Sequence, residues 1–183
     1  MQNQIVYDSR NVTDEFKGMS HEQIVTELDK RGVALEIAIE NLERDFNMGT
    51  IVRSANAFGV RRVYVIGRRQ WNKRGAMATD KYLHFEYFAD VETFVAHVKK
   101  TDRTLIAVDN VAGSQLLAKS TLPANAILIF GAEGPGVSPE LLKKVDKIVA
   151  IEQLGSTRSL NVGVAAGIVM YEWLRRNKGG VHG

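Results

Sequence analysis

Strand-like and helix-like segments alternate along most of this chain, and no other feature of the sequence limits its fold as strongly. The first strand pattern covers residues 33–40, where apolar side chains fall at every second position. The later strand-like segments are RVYVIG, TLIAVD, AILIF and KIVAI. Because helices connect strands that run in the same direction, the alternation predicts an α/β fold: a mostly parallel sheet with helices on both faces.

Several helical segments carry end signals in the sequence. Ser20 and Gln23 have the spacing of a capping box at the start of the first helix. Asp90 precedes another helix as its N-cap, and Asn47 lies near the N-cap of a third. The longest connection between predicted elements covers residues 67–89, which we predict to be a loop.

The composition excludes several kinds of chemistry. There are no cysteines, so disulfides, thiolate metal sites and cysteine nucleophiles are all excluded. The four histidines lack the spacing of metal ligands, and we expect no metal. No apolar run approaches the length of a membrane span, and the polar N-terminus is unlike a secretory signal. We therefore expect a cytoplasmic location and no membrane partner.

Two common nucleotide-binding motifs are absent from the sequence. The first strand-to-helix junction, ENLERDFNMGTIV, lacks the G-x-G-x-x-G turn of dinucleotide-binding proteins. The glycine cluster FGAEGPGVS has no lysine where a Walker A loop requires one, which argues against nucleoside triphosphate hydrolysis.

Positive charge is concentrated in residues 61–74, RRVYVIGRRQWNKR, here called the basic segment. It holds six lysines and arginines and no acid, whereas the whole chain has a net charge of only +3. One interpretation is a solvated loop with incidental charge. The other is a surface that contacts phosphates, with Trp71 stacking on a base. The candidate RNA-binding residues are Arg68, Arg69, Lys73 and Arg74.

Three polar stretches follow predicted strands and precede predicted helices, so they belong at the carboxyl edge of the sheet, where ligands bind. The first, NMGTIVR, places Arg53 on the first turns of a helix, either as a solvated charge or as a ligand for phosphate or carboxylate. The second, FGAEGPGVSPE, sets Glu133 among glycines. It is either a plain connection or a loop that lets a ligand approach the backbone closely.

The third stretch, GSTRSLNVGVAAG at 155–167, concentrates hydroxyl groups ahead of a helix that starts with small residues. Any one of the hydroxyl groups is enough to cap that helix. They belong to Ser156, Thr157 and Ser159. The small residues favour close helix packing, which does not explain why Arg158 and Asn161 crowd the helix start.

In this order, N-x-G-x-x-x-R, F-G-x-E-G-x-G-V and S-x-R-S-L-N-V resemble motifs one, two and three of the SpoU/TrmH-type RNA ribose 2′-O-methyltransferases of the SPOUT superfamily. The resemblance covers residues 35–174. It implies a deep trefoil knot at the C-terminal end and a homodimer with its active site near the subunit interface. We divide the chain accordingly into an N-terminal arm and helix (1–32), a methyltransferase domain (33–176) and a flexible tail (177–183).

The resemblance also implies roles for individual residues. S-adenosylmethionine would lie bent in the knot, held by backbone groups of Gly131, Ile151 and Leu160. The acceptor would be a ribose 2′-hydroxyl of tRNA or rRNA, with Arg53 beside it as base or activator. We favour an Arg53 that binds the adjacent phosphate and orients the 2′-oxygen, because arginine is almost always protonated. The remaining motif residues of the catalytic group are Asn47, Glu133, Ser159 and Asn161.

Two other functions remain open at this stage. One is a knotted RNA-binding or assembly factor without catalytic activity, and the other is a SPOUT enzyme that methylates a base. The intact polar residues of the three motifs argue against the first, and the asparagine and arginine of motif one argue against the second.

Overall fold

The fold is a parallel β-sheet with helices on both faces, as the alternation of segments predicts. The computed structural model describes residues 12–42 and 47–178. Within these residues the strands are β1 (Glu36–Asn41), β2 (Arg62–Gly67), β3 (His84–Phe88), β4 (Thr104–Val108), β5 (Gln115–Leu116), β6 (Ala126–Phe130) and β7 (Lys147–Ala150). They form one sheet in the order β3-β2-β1-β6-β4-β7-β5, and every neighbouring pair is parallel. The knot that the resemblance implies stays a prediction.

Four of the five described α-helices cover the two faces of the sheet, and the first packs in a separate cluster. The five are α1 (His21–Arg31), α2 (Met48–Ala57), α3 (Val91–Val98), α4 (Pro139–Leu142) and α5 (Val162–Asn177). Helices α2 and α5 pack on the face that carries Ile37 and Ile39 of β1, whereas α3 and α4 pack on the face that carries Ala38. Both faces of β1 are therefore buried, and Ala38, which lies between the alternating larger apolar residues, is as buried as they are.

The capping signals at two helices are confirmed. Ser20 accepts from the amide of Gln23, whose side chain in turn accepts from the amide of Ser20, and Asp90 accepts from the amide of Thr93. Asn47 is the N-cap residue of α2, as expected, but its side chain makes no capping bond. Its side chain is used in a longer-range contact, described below.

The final helix is not capped by a hydroxyl group. Asn161 is its N-cap, and the Asn161 side chain accepts from the amides of Gly163 and Val164. The hydroxyl of Thr157 instead donates to the carbonyl of Ser159 in the preceding turn. The small residues of α5 allow the close packing expected of them, since a Cβ on Gly163 would lie 3.0 Å from Cγ2 of Thr50 on α2.

The prediction of a loop over residues 67–89 is wrong. Two 3-10 helices, Arg74–Ala76 and Thr79–Tyr82, and strand β3 lie within it. Among the described strands, β3 has only β2 as a neighbour and is half-exposed, so its sequence lacks the continuous apolar run of a buried strand. Trp71 stacks on Phe85 of β3 with ring centroids 5.7 Å apart and packs against the core, which argues against a free ring for stacking on a base.

The predicted domain boundaries stay predictions, and residues 1–11 and 179–183 lie outside the described part. Within that part, Phe16 is buried against Ile24 of α1 and Tyr82. The segment before α1 is thus packed on the body of the protein from Val12 onward. No described helix combines the length and the apolar character needed to cross a membrane.

The C-terminal half of α5 is fixed by side chains that bond to backbone carbonyls of residues 117–123. Trp173 is buried, and its indole N–H donates to the carbonyl of Pro123 at 2.8 Å. Arg176 donates to the carbonyls of Ser120 and Leu117, and Asn177 to that of Leu122. These bonds tie the last helix to the segment between β5 and β6.

We expect Trp173→Ala to lower the free energy of unfolding by about 3–5 kcal/mol, because it leaves a large cavity and an unpaired carbonyl. Trp173→Phe keeps most of the ring and should cost about 1–2 kcal/mol. Urea unfolding followed by circular dichroism measures both. Equal losses for the two variants would show that the hydrogen bond to Pro123, and not the packed ring, carries the stability.

Candidate active site

Three side chains from separate parts of the chain meet at the carboxyl edge of the sheet. The Asn47 amide donates to Glu133 Oε2 at 2.6 Å. The Asn161 amide donates to Asn47 Oδ1 at 2.8 Å and to Glu133 Oε1 at 3.2 Å. We call this group the amide–carboxylate cluster. It joins the junctions after β1, β6 and β7, which hold motifs one, two and three of the sequence.

The loop after β6 is tight enough to require glycine at two positions. A Cβ on Gly131 would lie 2.0 Å from the carbonyl oxygen of Gly136, which approaches it across the turn. Gly136 has a φ of +74°, and a Cβ there would lie 2.3 Å from Asp109 Oδ2. The amide of Gly136 donates to the carbonyl of Ala132 at 3.0 Å and closes the turn that presents Glu133.

Two carboxylates that the sequence analysis missed hold the end of this loop. Asp109, directly after β4, accepts from the amide of Val137 at 2.8 Å. Glu40 of β1 is buried and accepts from the amide of Ser138 at 2.7 Å. Because β1 and β4 lie on either side of β6, hydrogen bonds from both neighbouring strands hold the loop. An acid ending the buried run TLIAVD is the signal that could have found Asp109, whereas Glu40 has none.

A cavity of about 270 Å³ opens beside the cluster. It takes its walls from the ends of β4, β6 and β7 and from the start of α5. The three predicted cofactor residues, Gly131, Ile151 and Leu160, all line it, as do Glu133 and Ser159. The volume is near the lower end of small-molecule sites, so it suits a compact or folded ligand. The roles of these residues stay predictions.

Arg53 occupies a different place. It lies on the exposed face of α2, about 9 Å along the helix axis from Asn47, and is not part of the cavity lining. Its guanidinium has no hydrogen-bond or ion-pair partner among residues 12–42 and 47–178. Across the same residues, no three His, Asp or Glu side chains are grouped so that they could hold a metal ion.

The basic segment is docked against the start of α2. Asn41, the last residue of β1, donates to the carbonyls of Arg68 and Gln70. The 3-10 helix Arg74–Ala76 begins at the end of the basic segment. Gly49 of α2 lies so close to this helix that a Cβ on Gly49 would be 2.7 Å from the amide nitrogen of Ala76. These contacts fix the segment beside the helix that carries Asn47 and Arg53.

The four candidate RNA-binding cations are all exposed, but they are not equivalent. Lys73 forms an ion pair with Asp80 at 2.8 Å, and this hydrogen bond raises the pKa of Lys73. The guanidinium of Arg69 lies 5.0 Å from the centre of the Tyr87 ring. Lys73 is therefore partly committed to the protein's own structure, and RNA binding by any of the four stays a prediction.

The parallel sheet and the cavity at its carboxyl edge define an α/β protein with a candidate ligand site beside a polar cluster. The model of the SpoU rRNA methylase family matches residues 34–171, which include the whole cluster. The chain belongs to this family.

Two curated relatives illustrate the range of the match. An uncharacterized tRNA/rRNA methyltransferase of Mycolicibacterium gilvum is 32% identical over 79% of this chain and 48% of the relative. The tRNA (guanosine(18)-2′-O)-methyltransferase of Aquifex aeolicus is 28% identical over 82% of this chain and 74% of its own length. The chain thus spans about half the length of the mycobacterial relative.

Solved structures show the same fold. The A. aeolicus TrmH/SpoU tRNA modifying enzyme is 27% identical and superposes with a TM-score of 0.75, covering 87% of this chain and 84% of that one. The SpoU methyltransferase AviRb of Streptomyces viridochromogenes, solved with AdoMet, is 22% identical with a TM-score of 0.71 over 79% of this chain and 61% of its own. At that identity the second comparison supports the fold alone.

We expect Gly136→Ala to destabilise the protein more than Gly134→Ala. Both glycines have a left-handed φ, so each alanine should cost about 1–2 kcal/mol of backbone strain. Only the Gly136 variant also displaces Asp109 from its bond to Val137, which should add about 1–3 kcal/mol.

Gly134 is the matched control, because nothing lies within 4 Å of a Cβ built there. Urea unfolding of the two single variants measures the difference. Equal losses would mean that the contact between Gly136 and Asp109 does not determine the shape of the loop.

Proposed function

We propose that this protein transfers a methyl group from S-adenosylmethionine to a ribose 2′-hydroxyl of tRNA or rRNA. The amide–carboxylate cluster is the observation that carries the proposal. It joins the three family motifs through hydrogen bonds of 2.6–3.2 Å, at the mouth of a cavity that could hold the methyl donor. Family membership and the activity named for the A. aeolicus relative support the same reaction.

The residues that line the cavity suit S-adenosylmethionine in their chemistry. Gly131, Gly136, Ile151 and Leu160 all line the cavity, where their backbone groups would offer donors and acceptors to a base. The carboxylates of the lining suit a donor that carries two positive groups. When bound, this cofactor supplies an electrophilic methyl carbon.

The protein's own contribution would be to hold and orient the reacting groups. Glu133 accepts hydrogen bonds on both oxygens from the two asparagines, which fixes the wall of the cavity next to α2. Arg53, exposed on α2, would bind the phosphate beside the acceptor ribose and orient the 2′-oxygen. Much of the rate would then come from placing donor and acceptor in line, an effect that can be worth several kcal/mol.

We further propose that the protein acts as a homodimer whose interface covers α5. Val164, Ile168 and Tyr171 are exposed at intervals of four and three residues, which forms an apolar stripe on one side of the helix. Tyr171 also contacts Phe58, at the end of α2. A second copy on this stripe would lie close to the helix that carries Arg53. We also propose that the C-terminal end of the chain forms the trefoil knot that the family resemblance implies.

The reaction is tested by incubating the protein with labelled S-adenosylmethionine and total RNA, then digesting the RNA with alkali. Label in alkali-resistant dinucleotides would indicate 2′-O-methylation.

We expect Arg53→Ala to abolish the transfer while the affinity for S-adenosylhomocysteine changes by no more than a few-fold, and Arg53→Lys to retain a small part of the activity.

Other outcomes separate the competing functions. Label on a base would identify a base methyltransferase. Cofactor binding without transfer to any RNA would identify a binding or assembly factor. A calorimetric loss of cofactor binding in Arg53→Ala would contradict the role we give that residue.

We expect neutralisation of Arg68, Arg69 and Arg74 by glutamine to flatten the salt dependence of RNA affinity. Each lost phosphate contact should reduce the slope of log K against log salt by about 0.7–0.9. Lys73 is kept, because its ion pair with Asp80 would confound the result. Binding isotherms at four or five salt concentrations provide the measurement.

Lys99 and Lys100 are the control for this experiment. They are exposed and follow α3 just before β4 begins, so they lie at the opposite edge of the sheet. Their double replacement by glutamine should leave the slope unchanged. If the two sets of variants behave alike, the basic segment does not form the RNA surface.

A further inference from the structure

Hydrogen bonds fix the backbone around Arg158, whereas its side chain is exposed. The Asn110 amide donates to the Arg158 carbonyl at 3.2 Å, and the turn around it is closed by the bond from Thr157 to Ser159 at 3.0 Å. The Arg158 side chain is exposed and borders the cavity. Among the described residues, its guanidinium has no hydrogen-bond, ion-pair or ring partner.

The charges of the cavity make this arginine distinctive. Of the described residues that line the cavity, Arg158 is the sole cation, and Asp109 and Glu133 are the acids. Both acids already accept bonds from the protein: Asp109 from the amides of Asn110 and Val137, and Glu133 from the amide–carboxylate cluster. Neither lies within ion-pair distance of Arg158. The cavity therefore offers one unneutralised cation to a bound molecule.

We propose that Arg158 binds the carboxylate at the amino-acid end of the methyl donor. The inference rests on the proposed function, since it assumes a donor of that structure. A guanidinium presents two parallel N–H groups that match a carboxylate, and such pairs are among the strongest hydrogen bonds in proteins. A phosphate of the RNA has similar chemistry. The carboxylate is favoured because Arg158 borders the cavity itself, between Asn110 and Leu160, whereas Arg53 lies outside it.

The proposal is tested by calorimetry with two ligands and no RNA. One is S-adenosylhomocysteine, and the other is the analogue in which hydrogen replaces only the carboxylate. We expect Arg158→Gln to weaken S-adenosylhomocysteine binding about ten- to a hundred-fold and to leave the analogue within about twofold. Arg158→Lys should fall between, since it keeps the charge but loses the paired donors.

Lys100→Gln is the control for loss of a positive charge, because Lys100 is exposed, lies outside the cavity lining and belongs to the opposite edge of the sheet. It should change the affinity for neither ligand. Thermal unfolding of the unliganded Arg158 variants should match that of the wild type, since the side chain makes no contact that the substitution removes.

Four results would overturn the proposal. Equal weakening of both ligands would give Arg158 a structural role. Unchanged ligand binding together with weaker RNA binding and a flatter salt slope would assign the arginine to an RNA phosphate. If the wild type binds neither ligand, the proposed function fails and the inference with it; if the wild type binds S-adenosylhomocysteine and Arg158→Gln binds it equally well, only the inference fails.

Discussion

One asparagine side chain connects the parts of the molecule on which the candidate site depends. Asn161 accepts from the first amides of α5 through its oxygen and donates to Asn47 and Glu133 through its nitrogen. The same group therefore begins the last helix and ties it to the loops after β1 and β6. An aspartate could cap the helix but has no N–H to donate, and a serine is too short to reach all four partners. The amide is the group that satisfies both needs.

Close approach of backbone to backbone is the second constraint. Gly131 faces the carbonyl of Gly136, and Gly49 faces the amide of Ala76. In each case a methyl group would occupy space already taken by a main-chain atom, which cannot move without shifting the loop. Asp109 and Glu40 then hold the two residues after the glycine loop from opposite sides. The shape of this cavity wall is therefore set by backbone that buried or partly buried carboxylates hold in place.

Within the described part of the chain, the side chains of Arg53 and Arg158 lack the hydrogen bonds that hold the loops around the cavity in place. Apart from the candidate RNA-binding residues Arg68, Arg69 and Arg74, the other described arginines pair with acids or carbonyls, as Arg103 does with Glu36 and Arg176 with Glu172. Arg53 and Arg158 have no such partners among the described residues, although they flank the one region where the three family motifs meet. Exposed arginines without partners beside a cavity are suited to anionic ligands, because little must be broken before they bind. This is the physical basis for assigning one to RNA and the other to the methyl donor.

The sequence by itself determined the local structure and the ligand-binding edge. Periodicity located β1 and the buried strands, and residues such as Ser20 and Asp90 marked helix starts, because these signals act within a few positions of the chain. Strand β3 was not predicted, because an edge strand does not need a continuous apolar run. Only the tertiary structure decided that the Asn47 side chain donates to Glu133 instead of capping its own helix. The same holds for Asp109 and Glu40, which accept hydrogen bonds from the end of the glycine loop. Those bonds join residues 28 to 98 positions apart, and no local pattern records which distant amide a carboxylate or carboxamide will meet.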